Sequence, residues 1–371
     1  MLDRVKSTGD IFWAESDREW ILEGAAVHVS MVGFDTGHED TRMLDGKPEM
    51  VINADLTPSI DLTSAAVLPR NKGLCFQGPV KVGPFDISGE VAKEILTDSG
   101  NPNGRSNSDV LRPWVNATDL TRRPRGMWII DFGELTREEA SGYERPFEYV
   151  RQYVKPKRDT NRDRQRRDKW WRLGRSGSDL KRAISGKQRF IATPRVAKHR
   201  LFAWLHGTTL PDTAVVVFAR EDDYFFGVLH SKVHELWALR QGTQLEDRPR
   251  YTPTTCFETF PFPWPPGQEP VNDPRVQTIA AAAKDLVGKR DRWLNPQGAS
   301  EAEPKKRTLT NLYNQRPTWL DLANKRLDEA VLHAYAWPHD LSDDDILERL
   351  LALNLERADG GHRSEQQEAP E

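Results

Sequence analysis

Between Tyr251 and Pro270 the chain carries prolines at positions 253, 261, 263, 265, 266 and 270. Each proline ring fixes φ and removes a backbone donor, so neither a helix nor a central strand can run through this stretch. The sequence differs on its two sides. Upstream, over residues 61–134, the short apolar runs SAAVLP, KGLCFQG, KVGPFDI, DVLRPWV and GMWIIDFG are separated by turn residues, the pattern of a mostly β region. Downstream, RVQTIAAAAKDLVGKRDRWL, WLDLANKRLDEAVLHAYAW and SDDDILERLLALNLERA repeat apolar residues at helical spacing. The last of these opens on Ser342 as N-cap with Asp345 three residues on, as in a capping box. The expectation is an α+β protein. The stretch QLEDRPRYTPTTCFETFPFPWPPG, Gln244 to Gly267, admits three readings: a proline-rich ligand, a structural hinge, or a nucleic-acid contact whose charged half reads bases.

Other elements follow from local pattern. WILEGAAVHVSMVGFD, 20–35, alternates through Val27, Val29 and Met31 and predicts a strand, with no visible upstream partner for it. EEASGYERPFEYVRQYVKP, 138–156, spaces Tyr143, Phe147, Val150 and Val154 as an amphipathic helix. RFIATPRVAKHRLFAWL and TAVVVFA predict further strands, and FFGVLHSKVHELWALRQG, 225–242, predicts a helix stopped by Gly242. Residues after about 358 are rich in Gly, Gln and Glu, a composition expected to be disordered.

Composition excludes several classes. The longest apolar runs, such as AVVVFA at 214–219, are far shorter than the roughly 20 residues a membrane helix needs. The opening MLDRVKSTGD has no apolar core of a signal peptide, so a soluble cytoplasmic protein without membrane contact is expected. Cys75 and Cys256 are expected to be buried free thiols. The net charge of −3 hides an uneven distribution. Residues 1–60 carry 12 acids against 5 bases and 319–371 carry 13 against 5, whereas 151–200 hold 18 Lys/Arg against 4 Asp/Glu. Such a local excess is the footprint of a polyanion partner, set against the bland reading of a solvated charged face. Trp170 and Trp171 within RRDKWWRLGR interleave with arginines as on surfaces that track a phosphate backbone. On that reading Arg162, Arg164, Arg166, Arg167, Lys169 and Arg172 meet phosphates.

Catalytic motifs do not stand out. His230 and His234 in HSKVHE are four apart, but Glu235 follows the second His, the wrong order for a zinc-protease HExxH, so contact with phosphate or core is expected. Asp212 in PDTAVVVFARED has no Lys two residues past an acid and reads as a turn residue. NPNGRSNSD, 101–109, lacks the phosphate-cradling GxxxxGK[ST] form and reads as a loop. Neither a glycine-rich cofactor loop nor an Asn-Pro-Pro-aromatic tetrapeptide occurs. On its residues alone the chain reads as a binding module.

FWAESDREWILEGAAVHVSMVGFD, NSDVLRPWVNATDLTRRPRGMWIIDFG, RFIATPRVAKHRLFAWL, DDYFFGVLHSKVHELWALRQGTQLEDRPRYTPTTCFETFPFPWP and LDEAVLHAYAWPHDLSDDDILERLLALN, in that order, resemble the C-terminal portion of MmeI-like restriction-modification DNA adenine methyltransferases. The resemblance runs from about residue 8 to 358. It implies the last strands of a methyltransferase domain over 1–60, a target recognition domain over 61–268 and a helical domain over 269–357, with the tail at 358–371. It implies double-stranded DNA as partner. The family's S-adenosylmethionine loop and catalytic tetrapeptide have no counterpart here, so no cofactor is expected in this chain and S-adenosylmethionine belongs to the complete enzyme. The chain is then expected to be inactive alone, either a truncated gene, a fragment, or a subunit whose methyltransferase and nuclease half is separately encoded. The alternative is a stand-alone nucleic-acid-binding regulator or a non-functional remnant of such an enzyme.

Within that frame FPFPWPP is expected to be the hinge closing the recognition domain. Glu246, Arg248 and Arg250 alternate, which on one extended segment puts all three on one face. The family's base-reading residues fall in this stretch. The candidate DNA contacts are Gln244, Glu246, Arg248 and Arg250, together with Arg195, Lys198 and Arg200, Arg166 and Arg167, and Arg122 and Arg123.

Overall fold

The strand expected over 20–35 is one arm of a hairpin. In the computed structural model, which describes residues 2–22, 25–58, 61–98, 100–245, 248–298 and 306–367, Asp10–Leu22 (β1) pairs antiparallel with Ala25–Asp35 (β2). The chain reverses inside the run taken as a single strand, and the partner that seemed missing is the segment just upstream. Arg42–Leu44 (β3) and Lys47–Glu49 (β4) complete a sheet of order β2-β1-β3-β4. Ile11, Ala14, Leu44, Ile52 and Leu56 form its core.

The described chain divides into two compact units. One comprises Met1–Pro69, Thr259–Pro261 and Pro338–Glu371; the other comprises Arg70–Glu258 and Phe262–Trp337. These units cut the chain at other places than the expected limits of 60, 268 and 357, and the helices after residue 269 fall partly in each. The last helix, Asp343–Gln367, belongs with the N-terminal residues. Its fully buried Asn354 explains why: the side-chain amide donates to the carbonyls of Ala66 (2.8 Å) and Thr259 (2.6 Å), and its oxygen accepts from Ala66 N (2.8 Å). A buried amide left without those partners would cost about 1–3 kcal/mol. The expected N-cap is present, with Ser342 Oγ accepting from Asp345 N and Asp345 Oδ2 accepting from Ser342 N, both at 3.1 Å. The helix continues to Gln367, across residues whose composition suggested disorder.

The larger unit contains two four-stranded sheets. Its strands are Cys75–Gln77 (β5), Asp86–Ile87 (β6), Leu111–Val115 (β7), Trp128–Ile130 (β8), Arg189–Pro194 (β9), Ala203–His206 (β10), Leu210–Pro211 (β11) and Val215–Phe218 (β12). They are ordered β10-β9-β12-β5, antiparallel throughout, and β11-β7-β8-β6, where only β11 and β7 run parallel. The amphipathic stretch at 138–156 is three short helices, Arg137–Ser141, Glu144–Tyr153 and Lys155–Asp159, interrupted around Gly142 and Val154.

Phe225 to Gly242 is also two helices, Asp223–His230 and Lys232–Gln241. Ser231 breaks them: its backbone is extended (φ −73°, ψ 157°), its hydroxyl donates to Val228 O (2.7 Å), and its side chain caps the second helix. Gly227 lets the Pro274–Leu294 and Thr318–Ala334 helices approach the first of these. A methyl group there would stand 2.6 Å from Ile279 Cγ2 and 3.2 Å from Leu327 Cδ1. The proline stretch contributes to the same core. Pro253–Phe257 forms a π-helical turn, Phe262 stacks on Phe225 (4.6 Å) and Trp264 packs against Tyr224 (6.1 Å). FPFPWPP, residues 260–266, thus packs Phe262 and Trp264 inward, and one of the divisions between units falls within it, between Pro261 and Phe262.

Candidate nucleic-acid interface

Thr243–Leu245 (β13) and Arg248–Arg250 (β14) pair antiparallel, with Leu245 opposite Arg248, Gln244 opposite Pro249 and Thr243 opposite Arg250. The segment expected to be one extended strand therefore reverses between 245 and 248. Gln244 is on one strand and Arg248 and Arg250 are on the other, two apart and so on one face. Glu246 lies outside the described residues. The base of this hairpin is fastened to the chain leaving β9. Tyr251 N donates to Arg195 O (2.7 Å), Ala197 N donates to Pro249 O (3.4 Å), and Val196 bridges to Arg250.

This fastening brings arginines together. Arg195 is half-buried, and among the described residues its guanidinium makes no hydrogen bond or ion pair. Burial, then the like charges of Arg250 and Arg175, pull its pKa below the usual arginine value. Arg250 Nε is buried without a hydrogen-bond partner. Arg175 is exposed, with Nη2 on Gly78 O at 3.0 Å. Guanidiniums that repel one another with donors unspent are suited to an anion with several acceptor oxygens. Arg175 was missed in the sequence; its flanking glycines in RLGRSGS were the available signal.

Other expected contacts have different roles. Arg200 is buried, not presented to a ligand: Nη1 donates to Pro194 O (2.5 Å) and Thr193 Oγ1 (3.0 Å), Nη2 donates to Pro249 O (3.1 Å), and the guanidinium lies 5.2 Å from the Tyr251 ring centroid. It clamps the hairpin to β9, because three acceptors there need a fixed donor fork. Lys198 is exposed and donates to Asn314 Oδ1 at 3.0 Å. Arg123 holds the end of the Pro274–Leu294 helix through Leu294 O and Asn295 Oδ1, while Arg122 is exposed. Arg166 pairs with Asp163 (3.1 Å), and Arg167 donates to Asn161 O (2.6 Å) and Arg162 O (3.1 Å). Trp170 and Trp171 are core residues, 5% and 8% exposed, packed with Phe147 and each other, so they offer no ring face to a base.

The histidine pair is buried between helices. His230 Nε2 meets Tyr313 Oη (2.7 Å) and its Nδ1 accepts from Phe202 N (3.2 Å), while His234 meets Leu229 O (2.8 Å) and Tyr251 Oη (3.1 Å). Burial holds His230 well below the usual histidine range and His234 at about 3. Beside them a polar cavity of about 220 Å³ includes Glu235, Arg316 and Asp328. Burial raises Asp328 to about 7, with the Glu235 charge adding to it and the Lys232 amide opposing. Unfolded, an Asp ionises near about 3.9, so between there and 7 the folded chain holds the extra proton and its stability falls as pH rises. The histidines act oppositely below about 6.5, where the unfolded chain takes up protons that the folded one refuses. Relative to an Asp328→Asn variant, which shares the histidines, the parent is therefore expected to decline in thermal stability as pH rises from about 5 to 7 in a melting series. An equal decline in the variant would place the titrating group elsewhere.

Asp212 is a turn residue, its carboxylate accepting from Ala214 N at 2.7 Å. Cys75 and Cys256 are buried thiols, each raised by burial. Among the described residues no helix is long and apolar enough to cross a membrane.

Comparison with known proteins agrees with this geometry. Residues 97–264 match the model of the MmeI target recognition domain, a span that includes β13, β14 and the three arginines. Over 172 residues, 45% of this chain, the sequence is 28% identical to DNA methyltransferase A of Bacillus subtilis (strain 168), covering 18% of that protein. The fold is similar to that of the Type IIL restriction-modification enzyme MmeI solved in complex with DNA, with a TM-score of 0.73 at 18% identity over 96% of this chain and 47% of that one. The chain thus spans about half the length of that enzyme and under a fifth of the methyltransferase. Residues 97–264, with the hairpin and its arginines, are similar to the MmeI target recognition domain, and the chain has the α+β fold of the corresponding part of MmeI.

Proposed function

We propose that this chain is the part of a restriction-modification DNA adenine methyltransferase that recognises the DNA sequence. The observation that carries the reading is the placement of Arg175, Arg195 and Arg250 toward the base of the β13–β14 hairpin, with the charged form of Arg195 disfavoured by burial first and by its neighbours' charge second. The arginines neutralise backbone phosphates, and Gln244, Glu246 and Arg248 are the residues that contact base edges; phosphate contacts position and base contacts specify. Arg122 and Lys198 are exposed and extend the phosphate contacts. Double-stranded DNA is the partner and the cytoplasm the location.

Methyl transfer is supplied by sequence outside these residues, in the same or a separate polypeptide. S-adenosylmethionine would be held there, since the chain contains neither a glycine-rich cofactor loop nor an Asn-Pro-Pro-aromatic tetrapeptide and its arginine cluster suits an anion rather than a sulfonium.

An Arg195→Gln, Arg250→Gln double variant tests the reading by opposing effects. Removing like charges is expected to raise the melting temperature, while duplex affinity by fluorescence anisotropy falls about tenfold or more, the worth of roughly 1.5 kcal/mol for a charged hydrogen bond. Unchanged affinity for duplexes of every sequence would defeat it.

A further inference from the structure

The basic segment that the hairpin does not use surrounds a pocket of about 350 Å³. Its floor is Arg158, 1% exposed, whose Nη2 donates to Lys81 O (3.0 Å) and Arg172 O (2.9 Å) while its Nε is buried without a partner. A buried guanidinium with an unspent donor is costly unless something of opposite charge completes it. Arg172 does not need that anion, because Glu134 and Leu135 O already take its donors. Arg166 is half neutralised by Asp163. The remaining donors are Lys169, exposed and unpaired among the described residues, Arg175 and the Ser176 hydroxyl.

The wall carrying Arg175 and Ser176 is held close by Gly174. There a methyl group would stand 2.5 Å from Val82 Cγ2, and the backbone bonds Arg175 N to Val80 O (3.0 Å) and Gly174 N to Lys81 O (3.2 Å) fix the approach.

We propose that this pocket is a socket for one phosphate group, held by Lys169, Arg175 and Ser176 above the buried charge of Arg158. Five cations against two carboxylates line it, an excess that suits a multiply charged oxyanion. Arg175 belongs both to the socket and to the cluster around Arg195, so the occupant lies beside the hairpin. The source is a backbone phosphate of the bound duplex, an assignment that rests on the DNA-reading proposal; a free phosphate is the other source of the same chemistry.

Two measurements on the full chain separate these. In the first, duplex affinity is followed against salt for the parent, Lys169→Arg and a Lys169→Ala, Ser176→Ala double variant. The double variant is expected to reduce the log-log slope by about 0.9, the loss of one phosphate contact, and to weaken all sequences alike, while Lys169→Arg keeps the parent slope. In the second, inorganic phosphate is titrated in the absence of DNA and read by phosphorus NMR. A reduced slope supports the socket and its backbone source. An unchanged slope with phosphate binding that the double variant loses keeps the socket and overturns the source. An unchanged slope with no such loss overturns the proposal. If the parent chain binds no duplex, the DNA-reading proposal fails by itself and the phosphate titration alone decides the socket.

Discussion

A Glu246→Lys, Arg248→Asp double variant is expected to select, from randomised duplexes, a recognition sequence changed or relaxed at one position and intact at the others. A carboxylate can accept from the cytosine amino group in the major groove, and an arginine fork can donate to both guanine acceptors, so together the two could grip one C·G pair. Arg248 is exposed on β14 and shares a face with Arg250, the residue beside the phosphate-seeking cluster. Each good bidentate contact is worth about 1–3 kcal/mol of discrimination, so exchanging both charges should cost the parent base pair about that much at that position alone. Either single change should mostly weaken binding, because one charge then faces a base edge unpaired. A selected motif identical to the parent's at every position would show that both are surface charges.

Arg200→Ala is expected to behave as a folding mutation. Its guanidinium serves Pro194 O, Thr193 Oγ1 and Pro249 O in the interior, and truncation removes those charged hydrogen bonds and leaves a void, with Ala197 N still on Pro249 O and Leu201 O still on the Thr193 hydroxyl. Large losses of this kind are about 3 kcal/mol or more, read as a lower urea midpoint. Because Pro249 O is one of the acceptors, the hairpin loses one of its anchors, and sequence discrimination should degrade along with stability. A variant of parental stability that only binds DNA more weakly would return Arg200 to the list of phosphate contacts.

The contrast between Arg200 and Arg195 shows what could be read from sequence. Charge density marks a basic region, but charge alone does not say whether a guanidinium ends in solvent or on carbonyls. That depends on the hairpin returning beside β9, a contact between residues about fifty apart. Trp170 and Trp171 illustrate the same limit, since arginines on either side of a buried ring look like a stacking surface when only order is visible. The long helices were legible because their period repeats over several turns. The interruption at Ser231 was not, because apolar residues continue through it and a serine's cap depends on backbone angles. The reversal between Leu245 and Arg248 escaped for a similar reason: alternating charges fit one strand as well as two paired ones.

Among the described residues the amide of Asn354 hydrogen-bonds to main-chain atoms, those of Ala66 and Thr259. Residues 1–69, 259–261 and 338–371 make up that unit, so residues 70–258 and 262–337 are, in chain order, guests inserted between the segments of a host. A clamp that reads backbone and ignores side chains is indifferent to what the guest encodes. A recognition cassette from a relative, cut at 69 and 338, therefore brings its own strand of the clamp at 259–261 and needs to match the host in chain path rather than in sequence. Specificity can diverge in such a module without the closure having to change with it.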